Sequence, residues 1–358
     1  MERPQLIRIL TCLVALVSAP ALVAVPTAAA ASTPALHVSS VTPRGGTVAG
    51  NTTLTVRFSA PLATSGQPQL KLSPGLAGTW SQATASSLRF TPKSAYLPET
   101  RVHLTIPAGI KAADGAVLAH AVTATYRVGE PSGARLTQLL ADLRYLPVHF
   151  VSRRDPRASD ENAQLWALYS PPSGRFVFGH GWPAHLHWLW AVENSVVLRG
   201  ALMDFESQRG LPMDGDAGPQ VWDALIQARL HWRLNRSGYT YALASEASPE
   251  SLTLWHNGAV VLRTPANTGI PGSGTAQGTF PVYQRLRSQV MQGTNPDGSH
   301  YADYVQWVAY FNGGDAVHYM PRSDYGSPQS LGCVELPYAA AERAWGFLSY
   351  GTLVSVLG

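Results

Sequence analysis

The apolar residues of this chain change their period twice, and that change limits the folds open to it. From residue 36 to about 128, and again from about 236 to 358, apolar and polar residues alternate as in half-buried strands. "TLTVRFSAPL", "AVTATYRV" and "YTYALASEA" are examples. Between these regions Leu136, Leu139, Leu140 and Leu143 recur at helical spacing, as do Val197, Ala201 and Phe205. One layered sheet cannot absorb both periods, so the sequence predicts a multidomain chain. It places an all-β sandwich over 36–128, a small helical unit over 133–231, and a β-rich unit with one or two helices over 236–358. "GEPSG" (129–133) reads as the linker after the sandwich.

The first 31 residues predict a secretory signal peptide. Arg3 and Arg8 precede an apolar run from Ile9 to Val25, and "PTAAAAST" supplies small residues for cleavage near Ala31. Beyond it no run of 18 apolar residues occurs, so no membrane contact is expected after cleavage, and the expected location is the bacterial cell wall or outside. The formal charge is +4, one unit of it in the leader, with no long Lys/Arg run, which argues against nucleic acid as a partner. The sequence leaves the oligomeric state open.

Cys12 falls in the leader, which leaves Cys333 as the lone thiol of an exported protein. Three readings stand: a buried filler, one half of an intermolecular disulfide, or a nucleophile. A nucleophile needs a base, because the thiolate is the reactive species and an ordinary thiol is mostly protonated at neutrality. His318 lies 15 positions upstream, and Gly332 would let a substrate carbonyl approach the backbone. His180, His185 and His187 have no second cluster with metal-ligand spacing, so no metal site is expected. Their "HLH" spacing suits a strand better than one helix face.

"HYMPRSDYGSPQSLGCVEL" (318–336) resembles the signature of the L,D-transpeptidase catalytic (YkuD) domain: a histidine, a spacer, then Ser/Thr-His-Gly-Cys and an apolar residue. "LTLWHNGAVVLRTPANTGIPGSGTAQGTFPVYQR" (252–285) resembles that family's entry hairpin, with its tight turn, "TG" and "GTF". Upstream, Phe205, Gly210–Pro212, Asp214-Gly215, Gly218-Pro219, Trp222 and Leu225 resemble the peptidoglycan-binding three-helix domain. "YLPETRVHLT" (96–105) resembles a bacterial Ig-like domain.

The resemblance implies Cys333 as nucleophile, His318 as general base and acid, and the Tyr319 carbonyl as the group that orients the histidine. It implies the Gly332 and Cys333 amides as oxyanion donors, with Ser330 at the Ser/Thr position. Two residues depart from the pattern: Leu331 replaces a histidine, and Glu335 stands where arginine or asparagine is usual. The implied activity is a cysteine-dependent L,D-transpeptidase that forms 3→3 cross-links between peptidoglycan stem peptides, with no metal or organic cofactor. Hydrolysis of the same stems, or a catalytically decayed wall-binding scaffold, are the alternatives.

Overall fold

The computed structural model describes residues 35–65 and 69–358, so the expected signal peptide lies outside the described residues. Among the described residues the N-terminal unit has eight strands: β1 (Val38–Thr42), β2 (Gly46–Val48), β3 (Leu54–Phe58), β4 (Lys71–Ser73), β5 (Gly78–Thr84), β6 (Ser87–Pro92), β7 (Arg101–Ile106) and β8 (Val122–Val128). They form two four-stranded sheets, ordered β1-β3-β6-β5 and β2-β8-β7-β4. Alternation decides the packing: Leu54, Val56 and Phe58 of β3 and Val102, Leu104 and Ile106 of β7 are buried, and the residues between them are more exposed. Each such side chain contributes about 1.5–3 kcal/mol when it leaves water.

The middle segment comprises α1 (Gly133–Asp142), β9 (Val148–Ser152), α2 (Glu161–Trp166), β10 (Gly174–Phe178), α3 (Ala184–Val192), α4 (Asn194–Arg209) and α5 (Pro219–Leu230). Local chemistry sets its boundaries. Asp160 caps α2 by accepting from the Ala163 N–H at 3.0 Å. Gly210, with φ 67°, ends α4 in the left-handed conformation, and Pro219 starts α5 where no N–H is needed.

Two features differ from the sequence reading. The segment is not purely helical, because β9 and β10 pair as an antiparallel hairpin. His185 and His187 lie on α3 rather than on a strand: Leu186 and Leu189, three apart, turn to the core and impose the helical period. The two histidines then serve packing, with His185 Nδ1 2.7 Å from the Tyr241 hydroxyl and His187 stacked on Phe178 at 4.0 Å. The core here joins Leu140, Leu143, Val197, Phe205 and Trp222 to Tyr241 and Leu353 of the C-terminal unit.

That C-terminal unit holds β11 (Thr240–Ser245), β12 (Ser251–His256), β13 (Ala259–Pro265), β14 (Gly278–Pro281), β15 (Gln284–Thr294), β16 (His300–Asn312), β17 (Asp315–Tyr319), β18 (Val334–Leu336), α6 (Tyr338–Phe347) and β19 (Leu353–Leu357). One sheet runs β13-β12-β11-β19-β14 and the other β15-β16-β17-β18. Asn257 and Gly258, both at positive φ, make the tight turn between β12 and β13. Leu254, Phe311, Val317, Leu336 and Val354 fill the core between the sheets, and Ala341 and Ala344 of α6 close it. Among the described residues no helix is long and apolar enough to cross a membrane.

Candidate active site

Strand pairing brings the histidine and the cysteine together. β17 and β18 run parallel, with Val317 opposite Val334 and His318 opposite Glu335. Opposed residues share a face of a sheet, as do positions two apart on one strand. Cys333 immediately precedes β18, so Cys333, Glu335 and His318 all reach the same cleft, which has a volume of about 880 Å³.

His318 is 2% exposed. Its Nδ1 lies 2.9 Å from the Tyr319 carbonyl, which can only accept, so the proton is on Nδ1 and Nε2 keeps its lone pair. Burial lowers the imidazole pKa below its usual value, and the bond to Tyr319 only partly opposes this. The ring is therefore a neutral base at neutral pH.

The Cys333 thiol lies 3.7 Å from the Gly314 carbonyl. Burial pushes its pKa up to about 12, and the nearby Asp315 and Glu335 charges add to the shift. A backbone hydrogen bond from Ala316 offsets part of it. Two groups that line one cleft, the Cys333 thiol and the His318 imidazole, are thus both neutral at rest rather than charged.

The loop ahead of Cys333 is tied from several sides. Ser330 Oγ donates to the Cys333 carbonyl at 2.6 Å and accepts from the Gly332 N–H at 3.2 Å. The Ser330 N–H donates to the Thr268 carbonyl, and the Ile270 N–H donates to the Ser330 carbonyl, both at 2.9 Å. Ser330 itself is buried, so its hydroxyl acts as a clamp inside the loop. The Gly332 amide is turned to that clamp. Leu331, 36% exposed, lines the cleft.

Glu335 is only 4% exposed, yet it is not a bare charge. Arg322 Nε donates to Oε2 at 2.7 Å and Arg322 Nη2 to Oε1 at 2.6 Å, a bidentate pair. Arg322 Nη2 also donates to the Gln329 carbonyl at 3.2 Å. Arg322 and Asp315, both lining the cleft, were missed by sequence reasoning. Arg322 carried one usable signal: it is the only cation between His318 and Cys333. Among the described residues no group of three His, Cys, Asp or Glu side chains could hold a metal ion.

Residues 240–356 match the family of the L,D-transpeptidase catalytic domain. His318 and Cys333 both lie within the matched residues. Residues 32–128 match the bacterial Ig-like domain, the span of the N-terminal sandwich. No curated protein matches the chain.

Several solved L,D-transpeptidases are similar. One from Mycobacterium smegmatis is 16% identical over 91% of this chain and 100% of its own, with a TM-score of 0.31. L,D-transpeptidase 3 from Mycobacterium tuberculosis, bearing a faropenem-derived adduct, is 15% identical over 90% of this chain and 98% of its own, also at 0.31. The catalytic domain of the E. faecium L,D-transpeptidase is 25% identical over 34% of this chain and 99% of its own, again at 0.31. In the C-terminal unit of the present chain, one wall of the cleft comes from the β15–β16 hairpin through Met291, Asn295 and Tyr301.

Proposed function

We propose that the protein is a cell-wall L,D-transpeptidase that joins peptidoglycan stem peptides by 3→3 cross-links through a thioester on Cys333. One observation carries the reading: Cys333 and His318 line one cleft, and the Tyr319 carbonyl fixes His318 in the tautomer that leaves Nε2 free to accept a proton. The Ig-like and helical segments fit a role in presenting the catalytic domain to the wall, the helical one as a peptidoglycan-binding module. An exported, wall-facing location accords with these parts.

In the first step the Cys333 sulfur bonds to the carbonyl carbon of the third stem residue while His318 takes the thiol proton. The tetrahedral oxyanion accepts from backbone N–H groups near Cys333. Gly332 shares in this once its N–H leaves Ser330. The C–N bond to the terminal D-alanine breaks, and His318 returns the proton to the departing amine. In the second step a side-chain amine of a neighbouring stem attacks the thioester and loses its proton to His318. The C–S bond breaks, the amide forms and the thiol is regenerated. Leu331 shapes the mouth of the site, and Glu335, paired with Arg322, supports the strand behind the nucleophile.

The test is direct. Purified protein incubated with a carbapenem should gain one covalent adduct by intact mass, and the Cys333→Ala variant should gain none. Muropeptide mass analysis then separates outcomes: dimers linked 3→3 support transfer, and tripeptide monomers alone would replace it with hydrolysis. An unmodified wild-type protein would overturn the nucleophile assignment.

A further inference from the structure

One wall of the cleft around Cys333 carries a charge that the acyl-transfer steps leave unused. Tyr301, Asp303 and Val305 alternate along β16 and all line the cleft, so their side chains share one face of the strand. On the neighbouring strand Met291 stands opposite Asp303 and lines the cleft as well. The Asp303 carboxylate is therefore set among the side chains of Tyr301, Val305 and Met291.

The charges of the cleft do not balance. Among the described residues Asp303, Asp315 and Glu335 line it against a single guanidinium, that of Arg322. Glu335 takes the Nε and Nη2 donors of Arg322, and the Gln329 carbonyl also accepts from Nη2. Asp315 is committed to the neighbouring backbone and to its own turn. Its Oδ2 accepts from the Ala276 N–H at 3.2 Å and from Asn312 Nδ2 at 3.5 Å. Asp303 differs from both: among the described residues its carboxylate is in no ion pair and accepts no hydrogen bond.

The charge of Asp303 is nonetheless felt in the site. It raises the pKa values of His318 and of Arg322. The carboxylates that act on the Cys333 thiol are instead Asp315 and Glu335. Asp303 thus bears on the base side of the cleft, where a fixed negative charge meets a bound peptide without adding to those that hold the thiol protonated.

A carboxylate flanked by apolar side chains attracts a cation more strongly than one on open surface, and repels an anion for the same reason. A stem peptide offers both. The third residue carries a side-chain ammonium, and the terminal D-alanine carries a carboxylate. One fixed charge therefore sorts the two ends. We propose that Asp303 determines specificity by pairing with the side-chain ammonium of the residue whose carbonyl Cys333 attacks. The inference rests on the acyl-transfer reading of Cys333, and adds the group that selects and orients the peptide being cleaved.

The test uses the full chain in excess over a synthetic stem tetrapeptide whose third-residue amine is either free or acetylated. Release of terminal D-alanine in a single turnover reads thioester formation alone, so neither an acceptor nor water enters the rate. Wild type should react about tenfold or more faster with the free-amine peptide, a difference of about 1.4 kcal/mol. Asp303→Asn should bring the ratio of the two rates close to one, and Asp303→Glu should restore most of it. A merely structural role for Asp303 would slow both peptides alike and leave the ratio standing. Equal rates for the two peptides on wild type would overturn the proposal, as would an undiminished ratio in Asp303→Asn. D-alanine release from neither peptide, by a protein that a carbapenem acylates, would also overturn it. Failure of the acyl-transfer reading registers separately, as a wild-type protein that takes no carbapenem adduct.

Discussion

Arg322 grips the buried Glu335 through two hydrogen bonds, and Glu335 lies directly opposite His318 in the sheet. An unpaired acidic residue two positions after Cys333 would repel an anionic substrate. Arg322 offsets that charge in part, Glu335 still adding to the raised Cys333 pKa, and the geometry makes the two residues interdependent. Removing Arg322 strands a carboxylate in the protein interior, so Arg322→Ala should cost about 3 kcal/mol of stability, read by urea denaturation. Glu335→Gln should cost less, because Arg322 retains solvent and the Gln329 carbonyl.

The thiol–imidazole pair predicts an unusual pH profile. With the His318 pKa held below 6.5 by burial, carbapenem acylation should stay level as pH falls from 8 to 6.5 and decline only below that. With the thiol pushed up to about 12, its alkylation by iodoacetamide should keep rising through pH 10 without a plateau. A plateau near pH 7 would mean that an ion pair forms after all. The linkage follows the same sign: the unfolded chain binds a proton at His318 near pH 6.5 and the folded chain resists it. The stability contributed by His318 is present above that pH and is lost as pH falls through its folded value.

What the sequence shows most plainly is local in the chain. The Asn257-Gly258 turn, the Pro219 helix start and the His318–Cys333 spacing each depend on residues close in the chain or on one motif. Arg322 was overlooked because its pairing with Glu335 spans 13 residues and needs the loop from Pro321 to Gly332 to fold back. The packing of α4 against β14 could not be seen at all, since the two are some 70 residues apart in sequence. The histidines of α3 misled for a related reason. His185 and His187, two apart, suggest alternation, and only tertiary burial of Leu186 and Leu189 imposes the helix.

Glu206 offers a test of the middle segment. Its side chain is 0% exposed, Oε2 accepts the Gly215 N–H at 3.0 Å, and Oε1 has no hydrogen-bond partner. Burial, together with the nearby Asp214 and Asp216, raises its pKa to about 7. A carboxyl with a raised pKa stabilises the fold below its unfolded value of 4.5, and that contribution is lost as pH rises through 7. Glu206→Gln, which stays neutral, should therefore gain on the order of 2–3 kcal/mol relative to wild type at pH 8 and little at pH 4.5. Thermal melts at the two pH values measure the difference, and an equal shift at both would refute the buried-carboxylate account.

Gly332 shows why the residue before Cys333 must lack a side chain. Its φ is +124°, a region that costs other residues about 1–3 kcal/mol, and an added Cβ would lie 2.5 Å from Asp315 Oδ1. Two penalties therefore fall on Gly332→Ala, one from the backbone and one from contact with Asp315. The backbone term also threatens the geometry that aims Cys333 at the cleft, so acylation should drop by at least about tenfold even where the protein folds. The double variant Gly332→Ala/Asp315→Ala removes the contact but not the backbone strain. It should recover part of the stability lost in the single Gly332→Ala variant and little of the acylation rate. Full recovery of both would show that the clash with Asp315, rather than the conformation at residue 332, is what the glycine is there to avoid.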